Sequence, residues 1–78
     1  MSANLDQPEY WKAAVRSVIK AETANLPVEC ARAIVRPLLK ELDRHLAQSL
    51  RAGFTRDAQM WLNVFAAELR RQVEAARR

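Results

Sequence analysis

Seventy-eight residues of 8.9 kDa provide for one domain, near the size at which a single apolar core only just suffices. Half of the residues are apolar, 28% are charged and only one is Gly, which excludes a disordered or low-complexity chain. Thirteen Lys and Arg against nine Asp and Glu leave +4, and the single cysteine, Cys30, excludes an internal disulfide framework.

No segment keeps an apolar/polar alternation and the β-branched residues are scattered, so the chain reads as all-α. The first helix is announced by Asp6-Gln7-Pro8-Glu9, with an acid at the N-cap, Pro in the first turn and Glu at the capping-box spacing. It is predicted to run to about Ala24, with Trp11, Val15, Val18 and Ile19 on one stripe flanked by Ala14 and Ala21. Lys12, Arg16 and Lys20 fall away from that stripe. Asn25-Leu26-Pro27 punctuates the chain, and Asn25 is the expected cap of a second helix. The stripe of this helix is Val28, Ala31, Val35, Leu38, Leu39, Leu42, Leu46, Ser49 and Leu50, ending at Gly53, a natural C′ residue. Pro37 lacks the amide that would bond the Ala33 carbonyl and disfavours a helical Arg36, which predicts a kink or a short break near residues 33–37, with the unbroken phase favouring the kink.

Thr55 is the expected cap of a third helix over Arg56 to Ala76, with Asp57 in its first turn and Arg70, Arg71, Arg77 and Arg78 towards its end, as the helix dipole prefers. Its main stripe is Ala58, Trp61, Leu62, Phe65, Leu69, Val73 and Ala76, and Met60, Val64 and Ala67 form a narrower one on a different side. There is no repeat, linker or domain boundary. Residues 1–78 are therefore expected to form one domain, an antiparallel three-helix bundle with its second helix kinked or broken at Pro37.

Chemistry is sparse. Cys30 and His45 are the sole nucleophile and base candidates, and on one helix they stand about 22 Å apart, where proton transfer needs about 3 Å. Cys30 then reads as a packed thiol and His45 as a boundary residue beside Glu41. The carboxylates have no metal spacing and there is no Gly-rich phosphate loop, so no catalytic, cofactor or metal site and no small-molecule substrate are expected. The first residues carry no basic leader or apolar run, and the longest uncharged stretch, Ala58 to Ala67, spans ten residues where a bilayer needs about twenty. A soluble protein of the cytoplasm, without a membrane partner, is the expectation.

Two surfaces remain as candidates. The surplus stripe, with Tyr10, Met60, Val64 and Ala67 as apolar contacts and Arg56 and Arg71 on its rim, suits a protein interface, either homodimeric or with a larger assembly. The expected function is thus a non-catalytic helical interaction module acting as an adaptor, inhibitor or regulator. The alternative is a small basic nucleic-acid-binding protein. It would use Arg32, Arg36, Lys40 and Arg44, which recur every four residues, together with Arg70, Arg71, Arg77 and Arg78. Against it, Glu29 and Asp43 point the same way, the row lies opposite the Leu stripe, and Trp11, Trp61 and Phe65 lie on core stripes rather than beside the charge.

Overall fold

A computed structural model describes residues 8–77, which form three helices and, among the described residues, no strand. These are α1 (Pro8–Glu22), α2 (Val28–Arg51) and α3 (Thr55–Ala76). The expected Asp6–Gln7 start of the capping box lies outside the described residues. α1 closes two residues earlier than the stripe suggests, because the Thr23 hydroxyl donates to the Ile19 carbonyl at 2.6 Å and ends the helix in a turn. The Leu26 amide then donates to the Thr23 carbonyl at 3.1 Å, bringing half-buried Leu26 against the core.

α2 does not take Asn25 as its cap. Pro27 is the N-cap residue, in extended backbone (φ −58°, ψ 146°), and no side chain caps the first turn. Its preset φ suits that position, and its carbonyl accepts from the Ala31 amide at 2.9 Å. The helix then runs unbroken through Pro37, so the expected alternative of a break does not occur. Ala33 and Pro37 both lie on the exposed side, where water can replace the missing amide partner of the Ala33 carbonyl. Gly53 ends the element as expected. With φ at +80°, it donates to Leu50, while Phe54 reaches back to Ser49 at 2.8 Å, the two bonds of a Schellman motif. Thr55, expected to cap α3, is instead its first residue; Phe54 is the N-cap and no side-chain bond is made there.

The core consists of Trp11 and Val15 from α1, Val35, Leu42 and Leu46 from α2, and Ala58, Leu62, Phe65, Leu69 and Val73 from α3, all buried. Val18, Ile19, Leu38, Leu39, Leu50 and Trp61 of the predicted stripes are half-buried and pack against this core, whereas Ala21, Val28 and Ala76 are exposed, the last two at helix ends beyond their neighbours. α2 and α3 pack extensively as an antiparallel pair, since His45 meets Trp61 while Leu38 and Glu68 line one pocket. α1 packs chiefly against α3 and only sparsely against α2. It runs parallel to α3, with Trp11 near Met60 and Glu22 bonded to Arg70. The result is an up-down-up three-helix bundle in which α3 is the shared spine.

Candidate interaction surfaces

The buried stripe of α3 fixes which way the helix faces, and at about 100° per residue Arg56, Met60, Val64, Ala67 and Arg71 come round to the opposite side. All five are exposed, Met60 by 47% and Val64 by 51%. They do not form one continuous ridge. Met60 and Arg56 border a shallow depression against Trp11 of α1, whereas Val64 lines a smaller pocket of about 100 Å³ beside His45 and Trp61 on the α2 side. Tyr10 is half-buried at the far edge of α1, its ring edge-on to Trp11 at 5.1 Å. At the other end of the strip, Arg71 is tied to Glu68 by two bonds, one from Nε at 3.0 Å and one from Nη2. Arg71, with a further donation from Gln72, holds the Glu68 carboxyl down at about 2, and Glu68 in turn raises the Arg71 pKa.

The basic residues separate into two groups. Arg32, Arg36, Lys40 and Arg44 all lie exposed along the unbroken α2, and among the described residues the sole ion pair in the row is a loose one, Arg44 to Glu41 at 3.9 Å. Arg70 is engaged within the molecule. Its Nη2 donates to Glu22 Oε2 at 2.9 Å and its Nε to both carboxylate oxygens at 3.3 Å, clamping the end of α1 to α3. Arg70 lowers the Glu22 pKa, and Glu22 raises that of Arg70. Arg77 is exposed at the C-cap of α3, and Arg78 lies outside the described residues.

Because α2 is continuous, Cys30 and His45 keep their axial separation of about 22 Å. His45 is turned to another purpose: its ring stacks on Trp61 at 3.8 Å with 7° between planes, so it joins α2 to α3. Among the described residues, no three His, Cys, Asp or Glu side chains are grouped to hold a metal ion, and no helix is long and apolar enough to cross a membrane.

One surface escapes the sequence reading. Since α1 and α2 both lean on α3 without closing on each other, a groove of about 540 Å³ opens between them. Its floor is Trp11, Val15 and Ile19 of α1 with Leu39, Leu46 and Leu50 of α2. The signal that could have revealed it is width. From Leu38 to Leu50 the apolar stripe of α2 spans about 120° of helix surface, more than a single neighbour covers. The Glu22–Arg70 clamp carries no sequence signal either, because 48 residues separate its partners. Comparison with family models, with curated proteins and with solved structures finds no match to this chain.

Proposed function

We propose that this chain is a non-catalytic helical interaction module that works by binding another protein, as an adaptor, inhibitor or regulator. The observation that carries the reading is the half-exposed pair Met60 and Val64 on the side of α3 turned away from its buried stripe. Large apolar side chains flanked by charge, here Arg56 and Arg71, are the composition of an interface centre with its rim. The strip alone is small beside the ~800 Å² per partner of a standard interface, which favours a contact that extends over the neighbouring depressions. The separation of Cys30 from His45 supports a non-catalytic role. Sedimentation across a wide concentration range tests the homodimeric version. A species of twice 8.9 kDa that Met60→Asp with Val64→Asp converts to monomer, at unchanged helicity, is the result expected for a homodimer. A concentration-independent monomer would remove self-association and leave a foreign partner. Photo-crosslinking from position 64 in the native cell then has to yield a discrete adduct, and a blank at every exposed position of α3 would end the reading.

A second reading rests on the row Arg32, Arg36, Lys40 and Arg44, which is exposed and, among the described residues, makes one loose ion pair, Arg44 to Glu41. As a nucleic-acid face it predicts binding that weakens steeply with salt in proportion to the phosphates neutralised. Arg70 and Arg71 fit that face poorly, since Glu22 and Glu68 already occupy them. A gel shift on mixed duplex and single strands at low salt with no retardation would dismiss it.

A further inference from the structure

We propose that the groove between α1 and α2 is the docking site for one amphipathic helix of another protein, apolar along one face and acidic along its flanks. The proposal rests on the reading of the chain as an interaction module, but moves the contact to a surface that the α3 strip does not share.

The shape of the groove selects a helix. Trp11 faces Leu50 at one end and Ile19 faces Leu39 at the other, so the floor follows α2 for about 16 Å, or three helical turns. An occupant with anchors at i, i+3 or i+4, and i+7 matches that length. A strand would find nothing to pair with, because α1 and α2 satisfy their own backbone groups along the walls. A helix laid in the groove touches α1 and α2 together and supplies α1 with a second neighbour, completing a four-helix arrangement over the spine of α3.

Charge selects its flanks. The lips of the groove carry Lys12 and Arg16 on α1 and Asp43 on α2. Stepping towards the start of α2 at about 100° per residue, Arg36 and Arg32 keep the bearing of the groove wall, so this end of the basic row borders the Leu stripe and only Lys40 and Arg44 turn away from it. All four cations are exposed and none makes an ion pair among the described residues. A partner with Glu or Asp beside its apolar stripe would pair with them, the four cations outnumbering the two acids on the same side, Asp43 at the lip and Glu29 on the bearing of Ala47. A second copy of this chain fits badly: the strip it offers, Met60 and Val64, is flanked by Arg56 and Arg71, and like charges would meet at the lips.

The test uses the full chain and two capped helical peptides of about 18 residues, both with leucines at helical spacing, one flanked by Glu and its twin by Lys. By fluorescence anisotropy at low salt, the Glu peptide is expected to bind at least about tenfold more tightly than the Lys peptide. Amide shift changes should concentrate at residues 11–19 and 39–50. Lys12→Glu with Arg16→Glu, both at exposed positions, should cancel or reverse the preference while the circular dichroism stays unchanged. Equal affinities, no binding of the Glu peptide, or shift changes centred on Met60 and Val64 would overturn the proposal. So would a wild-type dimer that Ala47→Arg, a substitution on the groove wall, converts to monomer, because the groove would then belong to a second copy. Met60→Asp with Val64→Asp is expected to leave peptide binding intact, so failure of the α3 strip as an interface and failure of the groove give different results.

Discussion

Two substitutions on α3, five positions apart, separate its buried face from its outward one. Leu69 is 0% exposed, so Leu69→Ala removes three carbons from the core at about 0.8 kcal/mol each, and the cavity left behind brings the cost to about 3–4 kcal/mol. Val64→Ala removes two carbons that are 51% exposed, a loss of about 0.8 kcal/mol, and the better helix propensity of Ala returns about 0.6 kcal/mol. The expected net change at position 64 is near zero. For a domain of this size, the Leu69 loss corresponds to a fall in Tm of roughly 12–32 °C. Urea and thermal melts followed by far-UV circular dichroism measure both. A Leu69→Ala cost below about 1 kcal/mol, or a Val64→Ala cost above about 1.5 kcal/mol, would mean that α3 is rotated from the orientation described, and the outward strip would be core.

Pro37→Ala should stabilise the domain by about 1–2 kcal/mol in a urea melt, since an interior Pro costs a helix about 3 kcal/mol and its stiffening of the unfolded chain returns about 1 kcal/mol. A destabilised variant would show that the proline shapes α2 in a way the core requires. Gly53→Ala should lower the thermal midpoint and Gly53→Asn should lower it less, because the +80° φ strains a Cβ although nothing crowds it; equal losses would argue against the left-handed cap. The folded pKa values of Glu22 and Glu68, the latter about 2, lie below the ordinary carboxylate range. Their stabilisation is therefore present above that range and is lost as the pH falls towards 2. An acid titration of Glu22→Gln should show a smaller acid loss than wild type, and superimposable curves would remove the clamp. In native-state hydrogen exchange, amides of α1 should open at lower free energy than those of α2 and α3; uniform protection would contradict the one-sided packing of α1.

Much of the fold is legible in the sequence because helical periodicity reports directly on which residues face inward. Val35, Leu42 and Leu46, and Leu62, Phe65 and Leu69, lie on the predicted stripes and are buried. Caps are less legible, since the path of the chain into the helix and not the presence of a capping side chain decides where each helix begins, and neither α2 nor α3 is capped by a side chain. Asn25 and Thr55 have suitable side chains, yet Pro27 and Phe54 take the positions. The outward position of Met60 and Val64 follows from the same periodicity. The groove does not, because a stripe defines a direction on its own helix and not the distance between two helices that share a third. His45 illustrates the same limit: its neighbour Glu41 is visible in sequence, whereas its stacking partner Trp61 depends on how α2 and α3 are brought together.

The unequal packing of α1 connects stability with binding. α3 is buried by both neighbours, which accounts for Ala58 and Leu69 having no exposed surface, whereas α1 is held by one neighbour and by the Glu22–Arg70 clamp at its last residue. The groove is the space that a direct α1–α2 contact would have filled, so its width depends on where α1 settles. A helix bound there would contact Val15 and Ile19 from the side that α3 does not reach. Its binding energy would then include the ordering of α1, and a change that weakens the clamp would weaken binding without touching the groove. This coupling follows from α1 being the least supported element and also one wall of the groove.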